Sequence, residues 1–196
     1  MNTEAAPAQP DANGSIVFPL DEFYARYGVR LPPVQQIEPG DIPEPYRGLL
    51  VHEHDMTSTL ESFHQGGLHL RVIARERHSH EYFREVVLCL DGSERPVEFG
   101  ATRIDLDAFA PAARRLILEE HQPLGGILKT CGLPFASRPL GYLRIASDRL
   151  INSLLGLQGA HILYGRRNRL LHAEGRPMAE VVEILPPLPD PRKTHG

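Results

Sequence analysis

The chain has 196 residues, 41% of them hydrophobic and 23% charged, which suits a globular domain long enough to bury one core. A formal net charge of −4 argues against a nucleic-acid partner, because phosphate binding needs a net or clustered positive surface. Two cysteines in unrelated contexts, Cys89 and Cys131, exclude a disulfide framework and a zinc pattern and fit a reducing cytoplasm.

Residues 1–14 are polar and rich in Ala and Pro, which predicts a disordered tail and no secretory signal. No apolar run approaches the length of a membrane span, so stable membrane insertion is not expected and a cytoplasmic location is. Ile16-Val17-Phe18 and Phe23-Tyr24 offer packing groups, and Leu31-Pro32-Pro33 with Pro39, Pro43 and Pro45 reads as an extended strap. Residues 1–45 are therefore expected to be a tail and proline-rich strap, partly disordered. The domain proper is expected over 46–188, and 189–196 as a C-terminal tail.

From Leu49 to Phe63 apolar residues recur at mixed helical spacing and end at Gly66-Gly67. Leu68 to Ala74 alternates as a strand does, and a second strand is predicted over Tyr82–Leu90, turning at Asp91-Gly92. A third follows over Pro96–Ile104. Helices are predicted over Pro111–Glu120 and Pro123–Thr130. Strands return at Pro139–Ala146, Ala160–His172 and Pro177–Leu185, the last two joined at Glu174-Gly175. Antiparallel strands on short turns with helices between them point to an α+β fold, and a βαβ rhythm is absent.

Arg84 shares its period-2 face with Tyr82, Val86, Leu88 and Leu90. A guanidinium in apolar company needs an anion or several acceptors. Its partner is either a ligand carboxylate, or a structural acid such as Glu61 with the side chain snorkelling to water. Pro123-Leu124-Gly125-Gly126 opens a helix whose first N–H groups lack intrahelical partners, and the glycines permit close approach. This is either a carboxylate site or an ordinary helix start packed by Leu124. Glu180 and Glu183 lie in the last apolar strand with opposite parity, so one faces a cavity while the other faces solvent or a neighbouring strand. Parity alone does not choose between them.

The His-x-His pairs His52/His54 and His78/His80 raise a metal site, but the first falls in a predicted helix and the second in a loop. A third and fourth ligand are missing, so no metal is expected. Arg166-Arg167-Asn168-Arg169 lacks aromatic stacking partners and reads as a solvated strand surface.

Taken in order, these segments resemble the chorismate pyruvate-lyase family. The resemblance rests on Leu49-Leu50-Val51 with Asp55-Met56-Thr57 and Leu60-Glu61, and on Arg84-Glu85-Val86-Val87-Leu88-Cys89-Leu90-Asp91-Gly92. It continues through Pro123-Leu124-Gly125, Leu163-Tyr164-Gly165-Arg166-Arg167-Asn168-Arg169-Leu170 and Gly175-Arg176-Pro177 to Glu183-Ile184-Leu185-Pro186. It implies an antiparallel sheet with helices packed over it and a ligand cavity enclosed by helical flaps. It further implies a cofactor-independent, monomeric carbon–oxygen lyase that converts chorismate to 4-hydroxybenzoate and pyruvate, as in ubiquinone biosynthesis. By the same resemblance Arg84 holds the ring carboxylate, Met56 and Leu124 with Gly125 line that end, and Glu183 meets the hydroxyl at the far end. Arg84 and Glu183 are then the catalytic pair.

The sequence departs from the family at three places. An ungapped count from Gly175 puts the family's glutamate on Val182, so Glu183 needs a one-residue bulge to turn inward, and Glu180, of Val182's parity, stays an alternative. Ala101 stands where the family's third strand carries an arginine, with Arg103 nearby. Asp105 stands where a proline is usual. Two further readings therefore accompany the lyase: a non-catalytic module that binds an aromatic acid, and a lyase for another enolpyruvyl cyclohexadiene carboxylate. The polar inventory of the cavity separates them. A lyase needs a second cation or donor for the enolpyruvyl carboxylate, whereas a benzoate binder needs only Arg84 and one acceptor.

Overall fold

Seven strands form one antiparallel sheet in a computed structural model that describes residues 14–188. The expected tails over 1–13 and 189–196 lie outside the described residues. The strands are β1 (Val34–Ile37), β2 (Leu68–His78), β3 (Glu81–Leu90), β4 (Pro96–Asp105), β5 (Phe135–Ala146), β6 (Ile162–His172) and β7 (Pro177–Leu185). Their order across the sheet is β1-β5-β6-β7-β4-β3-β2. The helices are α1 (Leu20–Tyr27), α2 (Tyr46–Leu50), α3 (Met56–His64), α4 (Pro111–Glu119), α5 (Leu124–Thr130) and α6 (Arg149–Leu155). The α+β antiparallel architecture expected from the sequence is found.

Helices cover both faces of the sheet, so the central strands are buried on both sides. On one face α1 and α6 pack on Val87, Phe99, Ala101, Val182 and Ile184. On the other, α2 and α3 cover Val86, Leu88 and Leu185, and α4 and α5 cover Tyr82, Ile104 and Leu170. This explains why every residue of β3 after Glu81 is buried, where a one-sided sheet would alternate.

Residues 16–45 are more than a strap. In α1, Leu20, Phe23 and Tyr24 take i, i+3, i+4 spacing and are buried, and the helix ends at Gly28, whose φ of 64° suits glycine. β1 then pairs with β5 as the sheet's edge. The packed unit thus begins before Tyr46. Helix α6 was equally absent from the sequence expectation. Its signals are local: the Asp148 carboxylate accepts the Ile151 N–H at 2.8 Å, and Gly156 closes the helix. The Tyr24 hydroxyl donates to Asp148 at 2.9 Å and ties α1 to α6.

Two other expectations change. His52 and His54 lie in the bend between α2 and α3, not in a helix. In β7 a bulge falls at Met178, since Leu170 pairs with Ala179 and Leu171 with Pro177. The extra residue shifts the parity of all that follows, which sets Val181, Glu183 and Leu185 on the face of α2, α3 and α5 and Glu180, Val182 and Ile184 on the face of α1 and α6.

Candidate functional site

Between the sheet and the α3/α5 pair lies a cavity of about 60 Å³ for the centres of water molecules. At about 10–15 Å³ per water centre this holds roughly four to six waters, or roughly 120–180 Å³ of ligand at about 30 Å³ per water. That is the bulk of one substituted six-membered ring. β3 lines it with Arg84, Val86 and Leu88, β4 with Glu98 and Thr102, and β7 with Val181 and Glu183. Asn168 and Leu170 come from β6, Asp55, Met56 and Thr57 from the start of α3, and Pro123, Leu124 and Gly125 from the start of α5.

Met56, Arg84, Leu124, Gly125 and Glu183 converge on this cavity. Glu180 does not. It lies on the opposite face, where its carboxylate accepts from Arg167 at 2.8 Å and Arg169 at 3.0 Å, with Arg103 at 3.9 Å.

Arg84 is 1% exposed, and among the described residues its Nε and Nη1 have no hydrogen-bond partner. Burial pushes its pKa down to about 10, against the opposing pull of Tyr82 and Glu120. Such a guanidinium still carries its charge at neutral pH, and an unpaired buried charge costs several kcal/mol. Glu61, the structural partner offered by the sequence, is not among the described residues that line the cavity with Arg84. Glu120, nearest in charge, is engaged by the Tyr82 hydroxyl and by Arg75.

The opposite end holds acids. Glu183 accepts from Arg166 Nε. The remaining Arg166 donors reach Leu50 O at 3.2 Å, His52 O at 3.1 Å and His54 O at 3.3 Å. Arg166 is fully buried, which corrects the expectation of a solvated basic strand. Beside this pair stands Glu98, 4% exposed, whose Oε2 has no partner among the described residues. Burial and the neighbouring Glu183 hold its carboxyl well above the usual glutamate range, with Arg166 pulling the other way. Asn168 donates to Ser137 Oγ at 2.9 Å, and its Oδ1 has no partner. Glu98, Thr102 and Asn168 went unnoticed in the sequence. Glu98 carried a signal, since it shares strand parity with Gly100 and Thr102 and its strand pairs with that of Arg84.

The mouth is built by two helix starts. Asp55 caps α3, accepting the Ser58 N–H at 2.8 Å. A Cβ on Gly125 would stand 2.8 Å from Asp55 Oδ1 and 3.2 Å from Thr57 Oγ1. A larger residue there would push aside the Asp55 carboxylate that caps α3, so glycine eases the approach of α5 to α3.

No protein-family model and no curated protein matches the chain. Solved structures match in fold. PhnF from Mycobacterium smegmatis superposes with a TM-score of 0.53 at 12% identity, covering 87% of this chain and 94% of that one. The PhnF effector domain from the same organism gives 0.51 at 11% identity, covering 67% and 87%. A possible transcriptional regulator, YydK from Bacillus subtilis, gives 0.50 at 10% identity, covering 87% and 92%. These neighbours are regulator and effector-domain structures and not lyases, which overturns the expectation of a chorismate-converting enzyme in ubiquinone biosynthesis. The cavity supplies a physical reason: Arg84 is the one cation among its described lining residues. Ala101 is buried on the other face, and Arg103 pairs there with Glu81 at 2.7 Å. Neighbours of this kind also lend no support to the expectations of a monomer and of no nucleic-acid partner. Among the described residues no helix is long and apolar enough to cross a membrane. What the likeness shows is the fold: the chain shares the architecture of these regulator structures.

Proposed function

We propose that the chain is a non-catalytic module that binds a small carboxylic acid, of single aromatic ring size, in the cavity beneath α3 and α5. The observation that carries this is Arg84, a buried guanidinium with two unpartnered nitrogens lining a cavity. A carboxylate would satisfy it with a bidentate pair. Backbone N–H groups at Met56 and Leu124 would add neutral donors at the mouth, and Gly125 lets the ligand approach the chain. Glu183 would accept at the far end. In this reading α3 and α5 act as flaps that close over the ligand. The effector-domain likeness supports a ligand-sensing role over a chemical one, and a soluble cytoplasmic protein is its natural setting.

The test is titration calorimetry of the protein with benzoate and 4-hydroxybenzoate, repeated with Arg84→Met. Saturable binding that Arg84→Met abolishes supports the reading. Binding that is unchanged in the variant overturns it.

A further inference from the structure

Most charges around the cavity are already paired. Asp55 is spent on the α3 cap and has Lys129 at 3.7 Å. Glu183 is held by Arg166. Among the described lining residues two ionisable side chains keep unpartnered atoms: Arg84 at Nε and Nη1, and Glu98 at Oε2. Both side chains are nine-tenths buried or more, and both line the same cavity. Arg84 pairs in register with Thr102, and Glu98 lies four residues before Thr102 on β4, facing Leu88. Four residues of strand span roughly 13 Å. The two groups therefore stand at opposite ends, with the apolar side chains of Val86 and Leu88 between them.

Resting on the carboxylate reading above, we infer that Glu98 reads the far end of the ligand, so that the cavity selects acids bearing a hydrogen-bond donor, a hydroxyl or an amino group, about one ring's length from the carboxylate. Glu183 is partly committed to Arg166, and Asn168, whose Oδ1 is also unpartnered among the described residues, lies in the strand row of Val181, Thr102 and Arg84, so the acceptor left over at the Glu98 end is Glu98. A ligand with only carbon there would leave the Glu98 oxygen buried and unmatched. Sites built to bond a polar group reject analogues that lack it for this reason. The charged groups facing Glu98 are Glu183 on β7 and Arg166 on β6, which sum to zero. A neutral hydroxyl meets a protonated Glu98 as donor and acceptor together. A protonated amine meets it as an anion, with one proton released on binding.

The experiment compares three acids of nearly equal size on the full chain: 4-hydroxybenzoate, 4-aminobenzoate and 4-methylbenzoate. The expected result is that one or both donor-bearing acids bind roughly tenfold tighter than 4-methylbenzoate or more. In Glu98→Met the gap closes, while 4-methylbenzoate binding stays dependent on Arg84. Equal binding of all three acids to the unmodified protein overturns the inference and leaves the carboxylate reading standing. So does a preference that survives in Glu98→Met. Absence of binding by all three overturns the carboxylate reading and this inference with it. Should Glu98→Met fail to fold, Glu98→Leu takes its place with the same expected and overturning results.

Discussion

Arg166 on β6 and Glu183 on β7 sit directly opposite each other in the sheet and form an ion pair with the guanidinium fully buried. The same guanidinium accepts no competition from water, and it donates to the carbonyls of Leu50, His52 and His54. One side chain thus joins a cavity-lining carboxylate to the segment between α2 and α3.

Replacing Arg166 by Met should therefore be costly. It strands Glu183 beside Glu98 and frees three carbonyls, and breaking a buried pair from one side costs about 3–5 kcal/mol. Denaturant unfolding measures the loss. Hydrogen exchange should show the earliest opening at residues 50–55. A loss below about 1 kcal/mol would mean the pair contributes little to holding the fold.

Arg84→Met should do the reverse. It removes an uncompensated buried charge, so the melting temperature of the ligand-free protein should rise while binding of carboxylates disappears. A fall in melting temperature would show that Arg84 has a structural partner after all.

The pH profile of stability carries a signature of Glu98. Its carboxyl is held well above the ordinary value of 4.5 in the fold. The folded state therefore binds more protons, and stability from this group is complete below about pH 4.5 and lost as pH rises through the raised value. Glu98→Gln removes the titration, so its advantage over the unmodified protein should grow from pH 5 upward. Melting curves across that range measure it, and a difference that does not change with pH would show that the group titrates normally.

Close strand approach can be tested at Gly100, which faces Glu183 in register. A Cβ there would lie 2.6 Å from Val182 O and 3.3 Å from Glu98 Oε1. Backbone cannot yield as a side-chain tip can, so Gly100→Ala should cost about 1–3 kcal/mol. Gly126→Ala, where a Cβ meets nothing within 4 Å, should be neutral or slightly stabilising and serves as the control. Chemical denaturation of both variants gives the comparison.

Much of this was legible in the chain itself. Period-2 alternation located β2, strands were also expected at β3, β4, β6 and β7, and Asp91-Gly92 and Glu174-Gly175 marked turns between them. The same alternation set Arg84 among apolar neighbours. Short elements were not legible, because an eight-residue helix such as α1 between prolines has too few turns for its periodicity to stand out. Its stability comes from Phe23 and Tyr24 packing on strands far away in sequence. Glu98 read as an ordinary strand acid, because the partner groups that make it unusual lie on β6 and β7.

The sequence by itself determined which residues face the same side within an unbulged stretch of strand, since parity is a local property of extended backbone. It determined neither which strands lie side by side nor the parity of β7, where the bulge at Met178 moves Glu183 into the cavity and Glu180 out of it. Those were decided by tertiary structure. The pairing of Glu183 with Arg166, and the unpartnered Nε and Nη1 of Arg84 and Oε2 of Glu98 among the described residues, arise only when separate strands meet, and burial makes the difference between them matter.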